Sequence, residues 1–257
     1  MSHEPKSVLT EAVVDRMATG LRFGQWDEKE TIALTCEMLA AQGHSETLAG
    51  QITVRSEGNT FLTTPMAVGF DEISAADVIR VDEQMNVLDG SGMANPAMRF
   101  HMWIYRARPD VNCIVHTHPP FVSALSMTAN KLKIAHMDAT PFANDCGFLQ
   151  EWPGLPIADQ EGEIISRALG SYRSVLLRNH GFLCATSSIE ETAYLSILIE
   201  RAAKAQLLAE AVGPVEELDL ALARESHDFL LLPAVVRSSF AMFARRVIRN
   251  RPASSQR

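Results

Sequence analysis

Two histidines one residue apart, His116 and His118, close the apolar run Val111-Asn112-Cys113-Ile114-Val115, and Pro119-Pro120 stop it at once. Side chains alternate along a strand, so both imidazoles point to one face. Neutral imidazoles held at a strand end suit a divalent ion such as Zn²⁺, Mn²⁺ or Fe²⁺. A third ligand is needed, and His180 is the best placed. Ser174-Val175-Leu176-Leu177-Arg178-Asn179-His180-Gly181 repeats the design: an apolar run, a histidine at its end, then a glycine that lets the chain turn. Three protein ligands leave coordination positions open for water or substrate, as catalytic sites do. An HxH pair alone is more often incidental than metal-binding, so the residues by themselves leave both readings standing.

The elements that must position these histidines follow from pattern and punctuation. Residues 1–24 read as a weakly patterned arm with one helix from Val8 to Met17. Asp27 then caps a first core helix with Ile32, Leu34, Met38 and Leu39 on one stripe, ended by Gly43. Gly50 to Arg55 and Thr60 to Thr64 alternate as a hairpin about the turn Glu57-Gly58-Asn59, and Asp77 to Asp82 with Gln84 to Leu88 form a second, shorter pair. Pro96 starts a helix to Arg106 that leads into the histidine strand, and Phe121 to Met127 is a short helix after it. Leu132 to Ala135 reads as a strand and Pro141 to Pro156 as a long loop. Asp159 caps a helix to Leu169, and Ser174 to Leu177 pairs with Phe182 to Ala185. Ser188 with Glu191 makes a capping box for a helix to about Ala211. Helices at Leu218 to Leu231 and Pro233 to Ile248 complete the chain. Phe229 to Leu232, Phe240, Met242 and Phe243 serve either as subunit contacts or as core. Hairpins with helices before, between and after them imply a mostly antiparallel sheet covered on both faces.

The 257 residues are 47% hydrophobic and can bury a full core. A net charge of −8 argues against a polyanion-binding surface, and the short arginine cluster at the end reads as a solvated helix face, so nucleic acid is not an expected partner. Cys36, Cys113, Cys146 and Cys184 show no CxxC spacing and point to a reduced, cytoplasmic protein. No apolar window approaches a membrane span or a signal peptide.

The run from Arg108-Pro109-Asp110 through VHTHPPFVSALS, followed by LLRNHGFLCAT and a long helix from Ser188, resembles the class II aldolase/adducin family over roughly residues 25 to 212. The resemblance implies a three-layer α/β/α sandwich with a central mostly antiparallel sheet. It also implies a domain at 25–212 between the arm at 1–24 and a helical tail at 213–257, and one divalent ion, Mn²⁺ or Zn²⁺ with Fe²⁺ as a further choice, on His116, His118 and His180. A homotetramer with active sites at subunit junctions and a small-molecule substrate is implied as well.

The departures from the family pattern carry the functional reading. Where the sugar-phosphate aldolases have a Ser-Ser-Glu triplet whose glutamate moves the proton, this chain has Asn95, Pro96 and Ala97. Their Gly-Asn appears as Gly50-Gln51 and their Thr-Gly as Met66-Ala67, while an assisting tyrosine falls at Met137. Alanine cannot transfer a proton. The reading that fits best is a metal-dependent lyase on an unphosphorylated substrate, namely a decarboxylase of hydroxylated aromatic or heteroaromatic acids such as hydroxypyridine dicarboxylates. A sugar aldolase or epimerase and a non-enzymatic adducin-like module are the alternatives. Gln51, Met66 and Asn95 are the expected substrate contacts. A metal-bound water, His136, His44 and Glu46 are the proton-donor candidates, and His101 reads as packing or a contact behind the ligands.

Overall fold

Eight short strands form one sheet in the order β4-β3-β2-β1-β5-β8-β7-β6. They are β1 (Gln51–Ser56), β2 (Thr60–Thr63), β3 (Ile79–Val81), β4 (Val87–Asp89), β5 (Cys113–Thr117), β6 (Cys146–Leu149), β7 (Ser174–Leu177) and β8 (Gly181–Thr186). The helices are α1 (Lys6–Gly20), α2 (Glu28–Ala40), α3 (Arg99–Ala107), α4 (Pro120–Ser126), α5 (Asp159–Leu169), α6 (Ile189–Glu210), α7 (Leu220–Leu230) and α8 (Pro233–Asn250). The structure, a computed structural model, describes residues 5–20, 23–44, 47–155 and 158–251. Every ladder is antiparallel except β6 with β7, so the sheet is mixed but mostly antiparallel, as expected.

Strand alternation sorts side chains into two apolar layers. Ile114, Leu183 and Ala185 meet Phe100, Met102 and Ile104 of α3 and Ile165 and Leu169 of α5 on one face. Ile52, Val54, Cys113 and Val115 meet α2, α6 and α8 on the other, where Phe182 and Cys184 also pack beneath α4 and α6. Helices therefore close both faces. Phe240 lies in the core with Ala244 and Val247, edge-on to Trp26 at 6.1 Å, whereas Met242 of the same helix is exposed.

Local chemistry explains where the elements begin. Asp27 accepts from Glu30 N while Glu30 reaches back to Asp27 N, a complete capping box for α2. Ser188 accepts from Glu191 N, but the Glu191 carboxylate turns to Arg173 at 2.9 Å, so the expected second half of that box is not made. Asp159 is the first residue of α5 and not its cap; its carboxylate instead accepts from the Trp103 indole at 3.2 Å.

Two further expectations fail. Residues 132–135 form no strand, because their backbone is spent elsewhere: Lys133 N donates to the Gln206 side chain and Ile134 O accepts from Leu218 N. The expected loop after Pro141 contains β6. Gly147 looks like a loop signal, yet a Cβ there would lie 2.6 Å from Ala168 O, so the glycine permits close packing of α5 on the strand.

Candidate metal centre

β5 carries His116 to the sheet end, buried against the edge of Phe100 from α3. Its Nδ1 sits 2.8 Å from the carbonyl of Phe182 on β8. A carbonyl can only accept, so Nδ1 holds the proton and the Nε2 lone pair is free for a ligand. Half-buried His118 follows one residue past the strand. His180 comes from the β7–β8 turn, whose left-handed residue is Asn179 with φ 55°.

The three rings lie with centroids 4.9, 4.8 and 4.5 Å apart, and their ligand atoms fall within 4.8 Å of one another. His116 Nε2 and His118 Nε2 are 3.1 Å apart. That separation suits an N–H···N bond in the metal-free protein and equally suits neighbouring donors on one ion with bonds of about 2.0–2.1 Å.

Electrostatics agree with a ligand role. Burial drives His116 well below the usual imidazole value, with the His180 and His118 rings adding to it; burial lowers His118; and burial with His118 brings His180 to about 4. All three are therefore neutral near pH 7, the form that binds metal. The residues present fit a divalent ion, with the Phe182 carbonyl fixing a ring from behind as such sites require.

Gly181 has a different task from the one its sequence context implies. It does not take a left-handed φ; that conformation belongs to Asn179. A Cβ at Gly181 would stand 2.5 Å from Thr117 O and 2.7 Å from His118 Cδ2, so the missing side chain lets β8 and the His118 ring share one space.

Around this centre the expected contacts are spread unevenly. Gln51 pairs with His116 across the β1–β5 ladder and is buried. Met66 and Asn95 line a small cleft with Leu48, Gly50 and Thr64, and Asn95 caps the turn Pro96–Met98 by accepting from Ala97 N at 3.0 Å. His44 bonds Thr117 Oγ1 at 2.9 Å, and Thr117 faces away from His116 and His118 by strand alternation. His136 is exposed and accepts from Asp138 N at 3.1 Å. Glu46 lies outside the described residues. His101 is fully buried on the triad face, its Nδ1 2.9 Å from Thr53 Oγ1 and its pKa lowered to about 3 by burial.

One supporting residue escaped the sequence reading. Glu200 of α6 is buried, and both its oxygens accept backbone N–H groups at the start of α4, Phe121 at 2.9 Å and Val122 at 2.8 Å. It thus anchors the chain just after His118-Pro119. A glutamate on an otherwise apolar helix stripe was the available signal.

Comparison with known proteins converges on the same chain segment. A family model described as Class II Aldolase and Adducin N-terminal domain matches residues 30–207. Decarboxylase NovR of Streptomyces niveus is 35% identical over 69% of this chain and 67% of its own length. A 4-hydroxy-3-prenylphenylpyruvate oxygenase/4-hydroxy-3-prenylbenzoate synthase of Streptomyces roseochromogenus subsp. oscitans is also 35% identical, over 69% of this chain and 65% of its own. The chain thus spans about two thirds of the length of these relatives. The 3,4-dihydroxyphthalate decarboxylase of Arthrobacter keyseri is 28% identical over 72% of this chain and 79% of its own. Among solved structures, L-fuculose 1-phosphate aldolase from Glaciozyma antarctica PI12 superposes with a TM-score of 0.79 at 24% identity, covering 96% of this chain and 94% of that one, a likeness of fold. The ordered histidine motifs, the sandwich and the family match cover the same residues, and the chain belongs to the class II aldolase/adducin family.

Proposed function

We propose that this protein is a divalent-metal-dependent carboxy-lyase acting on a hydroxylated aromatic or heteroaromatic acid, with His116, His118 and His180 as the metal ligands. The observation that carries the reading is a neutral histidine triad in a chain whose Ala97, at the position of the aldolases' glutamate, has no group able to move a proton. A bound Mn²⁺ or Zn²⁺, or Fe²⁺, would supply Lewis acidity toward a ring hydroxyl and its adjacent carboxylate. Loss of carbon dioxide needs no strong base, whereas aldol cleavage must take a proton from a hydroxyl. Met66 and Asn95 bring apolar surface and an uncharged hydrogen-bonding group, suited to a flat substituted ring and poorly suited to a phosphate. The decarboxylases among the relatives support the same class.

Of the proton-donor candidates, exposed His136 is the first to test, since His44 lies across the sheet from the triad. Leu48, Met93, Met127 and Trp152 are among the large apolar side chains left exposed, which supports a homotetramer, with active sites at its subunit junctions as the resemblance implies. All four cysteines are free, in keeping with a cytoplasmic setting, and among the described residues no helix is long and apolar enough to cross a membrane. An aldolase would need another acid in place of Ala97, and an adducin-like module would have no use for a neutral converging triad.

The test is carbon dioxide release from hydroxylated benzene and pyridine dicarboxylates, run beside retro-aldol cleavage of sugar phosphates, each with Mn²⁺ and Zn²⁺. Release from the aromatic panel, lost together with bound metal in His180→Ala, is the expected result. Sugar-phosphate cleavage with silence on the aromatic acids would refute the assignment.

A further inference from the structure

Gln51 opens β1 directly opposite His116, so the two side chains leave the same sheet face with Cβ atoms about 4.5–5.5 Å apart. Its neighbour on that face, Thr53, is already engaged by His101 and Tyr105, each at 2.9 Å. Among the described residues Gln51 has no such partner. The residue is 4% exposed, and its Oε1 is buried with no hydrogen bond among the described residues.

A buried amide oxygen is normally satisfied, and one left bare beside a ligand histidine calls for a missing partner. A divalent ion shared with the triad is such a partner. It would sit about 2.0–2.2 Å from its nitrogen and oxygen donors.

We propose that Gln51 Oε1 is a fourth protein ligand of the ion held by His116, His118 and His180, an inference that rests on the metal-centre reading above. Three imidazoles and one amide oxygen are all neutral, so the protein leaves the ion's full charge directed at an anionic substrate. Four protein donors also leave space for a substrate hydroxyl and carboxylate only on an ion that accepts five or six ligands. A hard oxygen in the set and a high coordination number favour Mn²⁺ over Zn²⁺ as the working ion. Strand alternation places Gln51 on the triad face, since Ile52 and Val54 point into the opposite core.

The experiment is chelator competition for Mn²⁺ and Zn²⁺ in the wild-type protein, Gln51→Met and Gln51→Glu, with the visible absorption of the Co²⁺-loaded forms as a readout of coordination. Gln51→Met should weaken binding by about tenfold or more, as loss of a metal-site contact does. Gln51→Glu should tighten it, and both should change the Co²⁺ spectrum. Equal affinities and one spectrum for all three proteins would overturn the assignment; a weaker hold on 2-hydroxybenzoate alone would then place Gln51 on the substrate. If Gln51→Met does not fold, the near-isosteric Gln51→Glu decides by itself. A wild-type protein that takes up no ion refutes the triad reading, and this inference with it.

Discussion

Replacing Gly181 by alanine tests whether the close approach of β8 to β5 holds the metal ligands in place. The added Cβ would lie 2.5 Å from Thr117 O, 2.7 Å from His118 Cδ2 and 3.3 Å from His118 Cα. Carbon and oxygen normally approach no closer than about 3.3 Å, so the strands must part, or His118 must move, by about 0.8 Å. Neither obstacle yields easily: one is backbone within the β5–β8 ladder and the other is a ring packed in the histidine triad. Overpacking of this kind costs about 1–3 kcal/mol. Displacing a ligand from its supported geometry lowers metal affinity by about 10–100-fold. Urea denaturation of the metal-free protein measures the first effect and chelator competition the second. Gly213→Ala, where the new methyl meets nothing within 4 Å, is the control and should change stability by less than about 0.5 kcal/mol. Wild-type stability and metal affinity in Gly181→Ala would show that β8 is free to shift, and the reasoning would fail.

Glu200→Ala leaves the N–H groups of Phe121 and Val122 without acceptors in a half-buried to buried setting, and should destabilise by about 1–3 kcal/mol while weakening metal binding at adjacent His118. Glu200→Gln retains one acceptor and should fall between, by the same two assays. Burial lowers both His44 and His101 to about 3, so between pH 6.5 and that value the unfolded chain binds protons that the folded chain refuses. Stability of the metal-free protein should therefore fall as pH drops below 6.5, by roughly 1.4 kcal/mol per pH unit for each histidine at most; a flat urea midpoint from pH 7 to 5 would contradict this. His227 has the opposite sign. Its pKa is raised by hydrogen bonding to Asp145 at 3.3 Å and Asp228 at 2.8 Å, against burial, so its contribution is present below 6.5 and is lost as pH rises through the folded value. Amide exchange in α7, corrected for intrinsic pH dependence, should accelerate from pH 6 to 9, and His227→Gln should remove that acceleration.

The fold was legible wherever one period governed a whole element. α2, α3 and α6 bury continuous stripes, and the β1–β2 hairpin turns about Glu57-Gly58-Asn59, so local pattern and tertiary role agree. It was illegible where a short segment owes its state to a distant partner. β6 is four residues, Cys146–Leu149, held as a parallel edge strand by β7, and nothing in four residues distinguishes that from a loop. The apolar run at 132–135 has the opposite history: its composition suits a strand, but Gln206 and Leu218 take its backbone groups before any ladder can.

For the site, strand alternation was enough to aim His116 and His118, because one face of β5 is fixed by Ile114 against α3 and the other by Cys113 and Val115 against α2. The same rule separates His44 from the triad only once its bond to Thr117 is known, since no local pattern says which strand residue a loop histidine will meet. Glu200, and the surroundings of Gln51, were obscure for a related reason: their partners lie 79 and 65 positions away, across a helix dock or a strand pairing. What links them is polarity in the wrong place. A carboxylate on the buried stripe of α6 and an amide at the buried start of β1 both cost stability unless something answers them, and each lies against the segment that carries His116 and His118. For Glu200 the answering groups are the amides after His118; for Gln51, the ion itself would complete the pair.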